Sequence, residues 1–370
     1  MKRYIGTSYR LLAMGIMATT FMSCSNEEPL EHFNPETYIG FNLPVVSMSG
    51  PEISEMGTRG IKYDAFPKGG TFGVLGYLKS NDNDAISDWS TKYQFLSPDI
   101  FNKKPVTYNE SGMCSYTGLV PWAEEKGQTA NLYTFFAYYP NEGNFNIAYS
   151  GGDKGAPKFT YTMPFNGTGL TLGNDAAVDA MIAVKYNHTK AMGNVDFTFG
   201  HLMTAIRFKV NNYDDDTPVK INTISLSGDF YRSTTLDYTP VAGANHLSRT
   251  TNTNDTYNGT YTFYDNSAEP LEVVAGTSTF VGDGSGTIVL LLPGIDDTNT
   301  VVTGLGNSVS FSCNYKFMNE FAQSGGSDLN YPFEPGTLYT INLNFIGDSF
   351  TINITSDNWE NGSDNDIIIQ

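Results

Sequence analysis

Cys24 is the residue whose position most clearly suggests covalent chemistry. It follows an apolar run, residues 11–22, which itself follows a basic opening that contains Lys2, Arg3 and Arg10. A basic segment before a short apolar run is typical of a signal peptide, and this run is too short to span a bilayer, which takes roughly 20 residues. A thiol directly after such a run can be acylated, so we examine Cys24 as a modification site.

The run that ends in Met22, Ser23 and Cys24 resembles the lipobox of bacterial lipoproteins. The resemblance implies that residues 1–23 are removed, that Cys24 is acylated, and that a lipid anchors the protein to the outer membrane. Residues 25–28, Ser-Asn-Glu-Glu, resemble the acidic signal that sends some Gram-negative lipoproteins to the cell surface. The alternative is an ordinary secretory signal followed by a chance cysteine.

Histidine, glycine and acidic clusters could carry catalysis, but their spacing favours structural roles. The histidines are His32, His188, His201 and His246. None has HExxH or HxH spacing. Residues 282–286 are glycine-rich but lack the Lys-Ser/Thr of a phosphate loop, so they predict a turn. Residues 81–84 and 214–216 group oxygen ligands without continuing into a calcium loop, so solvated loops are expected. We predict no enzyme activity, catalytic residue, metal or cofactor.

The remaining aromatic and sulfur side chains each have a structural and a functional interpretation. His201 follows Phe199 and Gly200 in a strand pattern, which favours a structural histidine over a catalytic base. Exposed tryptophans could stack on sugar rings, whereas core positions are the simpler interpretation. The tryptophans are Trp89, Trp122 and Trp359. Cys114 and Cys313 could form a disulfide, but we expect two separate buried thiols.

The composition indicates an exported β-protein with an acidic surface. The formal net charge is −18, and aromatic residues make up 14% of the chain. Like charges repel, so nucleic acid is excluded as a partner. Aromatic and β-branched residues favour strands, and Gly, Asn and Asp favour turns. No long segment has the 3.6-residue apolar period of a helix.

An early strand is predicted where apolar and small or polar residues alternate. Ile39, Phe41, Leu43 and Val45 are predicted to share one buried face. Pro44 cannot donate a ladder hydrogen bond, which indicates an edge strand. Residues 47–60 follow as a loop that contains Arg59 and Gly60.

Later segments predict a central strand, a bend, a hairpin and a paired run of isoleucines. Residues 132–139 are apolar on both parities, which predicts a central strand. In residues 195–210 the apolar set changes parity at Gly200 and His201, which predicts a bulge or bend. Residues 339–354 alternate on both sides of a Gly347-Asp348 turn, which predicts a hairpin. Three isoleucines, 367–369, are expected to pair in a sheet.

Many short strands with frequent turn residues predict an all-β fold of two β-sandwich domains in series. The polar segment 211–218 is the predicted boundary. The predicted parts are a signal peptide (1–23), a tether with the first strand and a loop (24–60), an N-terminal domain (61–212, completed by strand 38–46) and a C-terminal domain (213–370).

The order of motifs resembles the fimbrillin-like lipoproteins, the type V pilins of Gram-negative anaerobes. The motifs are TRG at 58–60, FGVLGY at 72–77, LYTFFAYYP at 132–140, FTFGHLMTAIRF at 197–208, VLLLPG at 289–294, PGTLYTINL at 335–343 and WENG at 359–362. The resemblance implies two transthyretin-like Greek-key domains and a structural role in a surface fimbria that contributes to adhesion.

The resemblance also implies a route of assembly by strand exchange. An arginine- or lysine-directed protease would cut between Arg59 and Gly60, with Lys62 and Lys68 as alternative sites. The removable strand would be the alternating segment around Phe41. Another subunit would then fill the gap with a donor strand. The residues implied in the donor are Ile352, Ile354, Ile367 and Ile369.

Two other functions compete with a fimbrial subunit. A surface glycan-binding lipoprotein of a nutrient-uptake system would use exposed aromatic platforms, and a host glycan or protein is a candidate ligand in either case. A secreted hydrolase would use a carboxylate pair, which the sequence cannot locate.

Overall fold

The computed structural model describes residues 34–47, 66–79, 89–125, 130–164, 179–241, 245–282, 288–302, 304–318, 323–358, 361–362 and 367–368. Cys24, Arg59, Gly60, Lys62, Trp359 and Ile369 lie outside these residues, as does the acidic segment 81–84. Helix is confined, within the described residues, to one short α-helix and two 3₁₀ turns. These are α1 (Trp89–Lys92) and the turns Tyr93–Phe95 and Lys190–Met192.

The described chain is otherwise built from strands, as the composition predicts. Strands of the first half are β1 (Val45–Ser47), β2 (Thr71–Lys79), β3 (Phe101–Tyr108), β4 (Cys114–Ser115), β5 (Leu132–Tyr139), β6 (Phe145–Tyr149), β7 (Pro157–Thr162), β8 (Met181–His188), β9 (Thr198–His201) and β10 (Thr204–Asn212). Strands of the second half are β11 (Val219–Tyr231), β12 (Ser233–Asp237), β13 (Ser248–Thr251), β14 (Thr256–Asp265), β15 (Leu271–Val273), β16 (Ser278–Phe280), β17 (Val289–Leu291), β18 (Gly306–Phe317), β19 (Gln323–Asp328), β20 (Leu338–Ile346), β21 (Ser349–Asn358), β22 (Asn361–Gly362) and β23 (Ile367–Ile368).

The strands form four sheets. Sheet 1 has the order β1-β9-β8-β5-β2-β3-β4, and sheet 4 has the order β13-β12-β7-β6. Sheet 2 has the order β16-β10-β20-β21-β22, with β17 also on β10 and β23 on β21. Sheet 3 has the order β14-β11-β18-β19, with β15 also on β11. The all-β prediction is confirmed.

Sheet 1 lies between two hydrophobic cores, and alternate side chains of β5 belong to each of them. Tyr133, Phe135 and Ala137 pack in the smaller core, which sheet 1 encloses, whereas Phe136 and Tyr138 pack in the larger one. Residues 133–138 are all buried. The prediction of a central strand covered on both faces is therefore confirmed.

The predicted parity change near Gly200 marks a change of sheet. β9 ends at His201 in sheet 1, and β10 begins at Thr204 in sheet 2, where it runs parallel to β20. Leu202 and Met203, between the two strands, are fully buried. A bend is present there, but its cause is the passage from one sheet to another and not a bulge within one strand.

The domain boundary after residue 212 remains a prediction. Strand pairing shows how the parts of the chain on its two sides are connected. β10 lies on the N-terminal side of that boundary, yet it is hydrogen-bonded to β16, β17 and β20. Sheet 4 also crosses the boundary, because β7 pairs with β12. The two parts of the chain therefore share hydrogen-bonded sheets.

The predicted C-terminal hairpin is present. β20 and β21 pair antiparallel from Leu338↔Asp357 to Ile346↔Ser349, with Gly347 at a φ of 62° in the turn. The left-handed backbone at this position suits glycine. Ile367 and Ile368 pair with Ile354 and Asn353, so the backbone of these isoleucines lies in a sheet as predicted.

Candidate functional site

The segment at residues 38–47, called the edge segment below, lies at one end of sheet 1. Its strand β1 runs parallel to β9, with Val45 opposite Thr198 and Val46 opposite Phe199. Further upstream, Phe41 forms a parallel bridge with Val195. β1 is an end strand in the order of sheet 1. The edge position predicted from Pro44 is therefore confirmed.

The edge segment also bonds to the chain that follows β4, at the other end of the same sheet. The N–H of Ile39 donates to the carbonyl of Val120 over 2.9 Å. The hydroxyl of Tyr116 donates to the carbonyl of Ile39 over 2.6 Å. On the β9 side, Val195 donates to Gly40 over 2.8 Å. The edge segment thus fills a slot between two walls, and each wall uses backbone groups to hold it.

Trp122 fastens the start of the edge segment. Its backbone N–H donates to the carbonyl of Thr37 over 3.0 Å. Its indole N–H donates to the carbonyl of Pro35, also over 3.0 Å. The indole ring stacks on the ring of His188, with centroids 5.9 Å apart. The slot therefore continues through Trp122 to the end of β8.

Three side chains of the edge segment enter the smaller core. The exposed fractions are 0% for Ile39, 6% for Phe41 and 2% for Val46. The Phe41 ring stacks on Phe197 with centroids 5.6 Å apart and lies 5.7 Å from the ring of Phe101. Burial of three such side chains stabilises the fold by about 5–9 kcal/mol before entropy losses.

The predicted buried face of this strand is wrong at two of its four positions. The alternation holds for Ile39 and Phe41, but Leu43 is 53% exposed and Val45 is only half-buried. Pro44 has no N–H for a ladder bond, and β1 begins only at Val45. Phe41 pairs with Val195 and Val45 pairs with Thr198, so the edge segment has one residue more than its partner between these two points. The inward positions therefore shift by one residue, and Pro44 and Val46 are buried.

Asn42 is held to the slot by side-chain bonds as well as backbone bonds. Its Nδ2 donates to Oδ1 of Asp196 over 2.6 Å, and its Oδ1 accepts from Nδ2 of Asn194 over 3.1 Å. Its carbonyl accepts a bond from the thiol of Cys114 over 3.4 Å. Sequence reasoning missed these contacts, because no sequence signal joins residues 152 and 154 positions apart.

Both described cysteines are free thiols, as expected. Cys313 is buried, while Cys114 is half-buried beside the edge segment. Burial raises the pKa of each thiol to about 12. The raised pKa keeps the Cys114 thiol protonated, and its Sγ is hydrogen-bonded to the carbonyl of Asn42.

The structure places the other predicted site residues in separate regions. Ile352 and Ile354 lie in β21, where Ile354 has no exposed surface. Ile367 lies in β23, which pairs with β21 over two residues. Lys68 is exposed in a turn.

The surroundings of the described tryptophans, of His201 and of Asp214 favour structural roles for these residues. Trp89 and Trp122 are only 2% and 7% exposed. His201 is buried, with Nδ1 2.5 Å from Oδ2 of Asp179. Asp214 accepts backbone bonds from its own turn, which lowers its pKa.

Two further observations concern the described residues alone. They contain no group of three or more His, Cys, Asp or Glu side chains placed to hold a metal ion. No helix among them has the length and apolarity needed to cross a bilayer.

Comparison with known proteins assigns the chain to a family. A profile of the fimbrillin-like family matches residues 76–360, so the chain belongs to that family. Membership indicates a fimbrial or adhesin subunit with a structural role at the cell surface. No curated protein matches the sequence significantly.

Solved structures with similarity to this chain have low sequence identity. A proposed cell adhesion protein of Bacteroides ovatus is 13% identical, covers 88% of this chain and 99% of its own, and has a TM-score of 0.45. One of Bacteroides uniformis is 14% identical, with coverages of 88% and 99% and a TM-score of 0.43. The tip fimbrial protein Mfa3 of Porphyromonas gingivalis is 9% identical, with coverages of 79% and 95% and a TM-score of 0.33.

Proposed function

We propose that this protein is a fimbrial subunit that polymerises by exchanging its edge segment for a strand of another copy. It is exported as a lipoprotein acylated at Cys24 and reaches the outer face of the outer membrane. An arginine- or lysine-directed protease then cuts at Arg59, and the edge segment leaves with the N-terminal piece. A strand of another copy enters the slot and joins the two subunits.

The observation that carries the proposal is the packing of the edge segment. It supplies Ile39, Phe41 and Val46 to a core built otherwise from residues 66–199, and its backbone bonds to both walls of the slot. In the sequence, only residues 48–65 separate it from the core residue Phe66, and Arg59 lies within that stretch. One cut there would therefore make this part of the core replaceable.

The donor strand is better sought beyond β21 than within it. Ile354 is fully buried in the larger core, and β21 pairs with β20 along its length. Withdrawal of Ile352 and Ile354 would expose that core at a cost of about 2–5 kcal/mol for each side chain. Among the described residues, β22 and β23 each pair with β21 over two residues, whereas β20 and β21 pair over nine, so withdrawal of β22 or β23 would break fewer of the described backbone pairs.

Strand addition accounts for the stability that a non-covalent fimbria needs. An incoming strand restores backbone bonds on both walls, each worth roughly 1 kcal/mol net, and refills the apolar positions of Ile39 and Phe41. The competing glycan-binding function required exposed aromatic platforms, and Trp89 and Trp122 are buried. No observation in the described residues favours it.

Limited proteolysis of the purified chain tests the proposal. Cleavage after Arg59, verified by mass spectrometry, should produce a ladder of oligomers in unboiled SDS electrophoresis. At a dilution that prevents polymerisation, cleavage should also make Cys114 more reactive toward a maleimide, because the edge segment no longer contacts the thiol and no other copy has filled the slot. The triple variant Arg59→Ala, Lys62→Ala, Lys68→Ala should stay monomeric with Cys114 protected.

A second pair of variants tests the donor. Ile367→Asp with Ile369→Asp should be cleaved normally but form no ladder. Ile346→Asp is the matched control, because Ile346 is 65% exposed in the same part of the chain. Cleaved protein that remains monomeric and keeps Cys114 protected would contradict strand exchange.

A further inference from the structure

The carboxamide of Asn42 is bound at both ends by two side chains of one wall of the slot. Asp196 accepts from Nδ2 over 2.6 Å, and Asn194 donates to Oδ1 over 3.1 Å. Between them, Val195 exchanges backbone bonds with Gly40 and Asn42 over 2.8 and 3.0 Å. The two side chains therefore flank the point at which the edge segment is in register with the wall.

The chemistry of this pair selects a carboxamide over other polar groups. The carboxylate of Asp196 can only accept, so the group beside it must donate. Asn194 presents its Nδ2 to Asn42, so the other atom of the bound group must accept. The side chains of Asn42 and Asp196 are exposed, so water can replace a lost bond. A carboxylate in the place of Asn42 would still lie against Asp196 and be repelled, and an aliphatic side chain would lose both bonds.

We propose that Asn194 and Asp196 form a selectivity site that reads a carboxamide in the strand that occupies the slot. This inference rests on the proposed function, and it specifies a sequence feature of the strand that enters the slot. The occupant has an apolar residue, any residue, a second apolar residue and then Asn or Gln. In the edge segment these are Ile39, Gly40, Phe41 and Asn42.

Residues 367–370 of a second copy have the same order of residue types: Ile367, Ile368, Ile369 and Gln370. Gln370 supplies the carboxamide. The same order recurs in other parts of the chain, for example at 106–109, 208–211, 219–222, 311–314, 341–344 and 350–353. Each of these six segments lies in a strand paired within its own sheet, apart from Asn109, which directly follows β3. Asn353 already accepts a bond from Asn344 over 2.8 Å. A second copy therefore offers the segment that ends in Gln370 as the occupant.

Fluorescence anisotropy with labelled synthetic peptides tests the site on the cleaved full chain. The first peptide has the sequence of residues 38–47, with Asn42→Asp and Asn42→Ala variants. The second has the sequence of residues 361–370, amidated at its end, with a Gln370→Glu variant. Leu43→Ser is the matched control in the first peptide, because Leu43 faces solvent. Uncleaved protein should bind none of the peptides.

We expect Asn42→Asp and Gln370→Glu to weaken binding by roughly tenfold or more, since each replaces a bond to a charged group with repulsion. Leu43→Ser should bind like its parent. In the protein, Asp196→Asn should restore binding of the Asn42→Asp peptide, because an amide at 196 can donate to the new carboxylate. Such a reversal is a coupling that a purely structural role for Asp196 would not produce.

Two results would overturn the inference, and they can be told apart. Equal binding of the Asn and Asp peptides, within about twofold, would show a slot that accepts strands without reading the carboxamide, and strand exchange would stand. Failure of every peptide to bind the cleaved chain would overturn both this site and the proposed function.

Discussion

Phe41 is the residue through which the edge segment contacts most of the core that it closes. Its ring lies 5.6–6.3 Å from the rings of Phe72, Phe101, Tyr116, Phe135 and Phe197. Aromatic pairs at such distances stabilise the fold by more than the burial of their surface area alone. Leu43, two residues away, faces solvent. The two positions therefore form a natural pair for comparison.

Phe41→Ala should lower the free energy of unfolding of the uncleaved chain by about 3–5 kcal/mol, because it removes a large buried ring. Leu43→Ala should change it by less than about 0.5 kcal/mol, as is usual for an exposed position. Urea denaturation followed by circular dichroism measures both. Equal effects of the two variants would refute the buried position of Phe41.

His188 makes the same region sensitive to acid. Its Nε2 donates to the carbonyl of Gly193 over 2.9 Å, and the ring stacks on Trp122. Its buried Nδ1 has no hydrogen-bond partner among the residues that the structure describes. Burial lowers the pKa of this imidazole, Lys185 lowers it further, and Asp196 and the Gly193 bond oppose the shift. The folded protein therefore favours neutral His188.

Because the folded pKa lies below the unfolded value of about 6.5, the unfolded chain takes up the proton first as pH falls. Stability should therefore decline below that value until the folded histidine is also protonated. His188→Gln should show a smaller loss of Tm between pH 7.5 and pH 5.5 than the wild type, measured by calorimetry. His246 is exposed, so His246→Gln serves as the control and should lose as much Tm as the wild type.

At the scale of elements, the burial of β21 bears on which segment could act as the donor. Its alternating isoleucines have the pattern of an exchangeable strand, but Ile354 is buried beneath sheet 2. A period-two pattern reports that one face is buried and does not say which molecule buries it. The tertiary contacts assign β21 to its own subunit.

Ile354→Ala should therefore destabilise the uncleaved monomer by about 2–5 kcal/mol. Thr351 lies on the same strand with its side chain exposed, and Thr351→Ala should stay within about 0.5 kcal/mol of the wild type. Chemical denaturation of the monomer measures both. An unchanged monomer with defective polymerisation in Ile354→Ala would instead assign β21 to the donor.

At the scale of the molecule, sheet 4 joins the two parts that the sequence separates. β7 pairs with β12 from Lys158↔Asp237 to Thr162↔Ser233, and the hydroxyls of Thr160 and Thr235 lie 3.0 Å apart. The larger core includes residues from both sides of residue 212. A shared sheet over a shared core predicts that the two parts unfold together.

The wild-type chain should give one unfolding transition in calorimetry. Thr235→Pro should lower the temperature of that transition more than Thr235→Ala does, because β12 is a central strand of sheet 4 and proline removes a ladder hydrogen bond there. Thr235→Ala removes only the hydroxyl contact and should cost about 0.5–1.5 kcal/mol. Two separate transitions in the wild type would show that the parts fold independently.

Local chemistry and periodicity were enough to predict the class of this fold and several of its elements. The double-sided burial of β5, the hairpin of β20 and β21 and the edge position near Pro44 all follow from alternation, turn residues and the missing proline N–H, which are properties of neighbouring residues. The parity change near Gly200 was visible too, although its cause was not.

Contacts between distant residues were decided only by the tertiary structure. Val46 is buried in place of Leu43 because the edge segment has one extra residue between Phe41 and Val45, and Asn42 bonds to partners more than 150 positions away. The joining of the two parts through β7 and β12 likewise depends on which strand edges meet in space. Side-chain periodicity specifies a buried face, but the identity of the partner across that face depends on the packing of the whole chain.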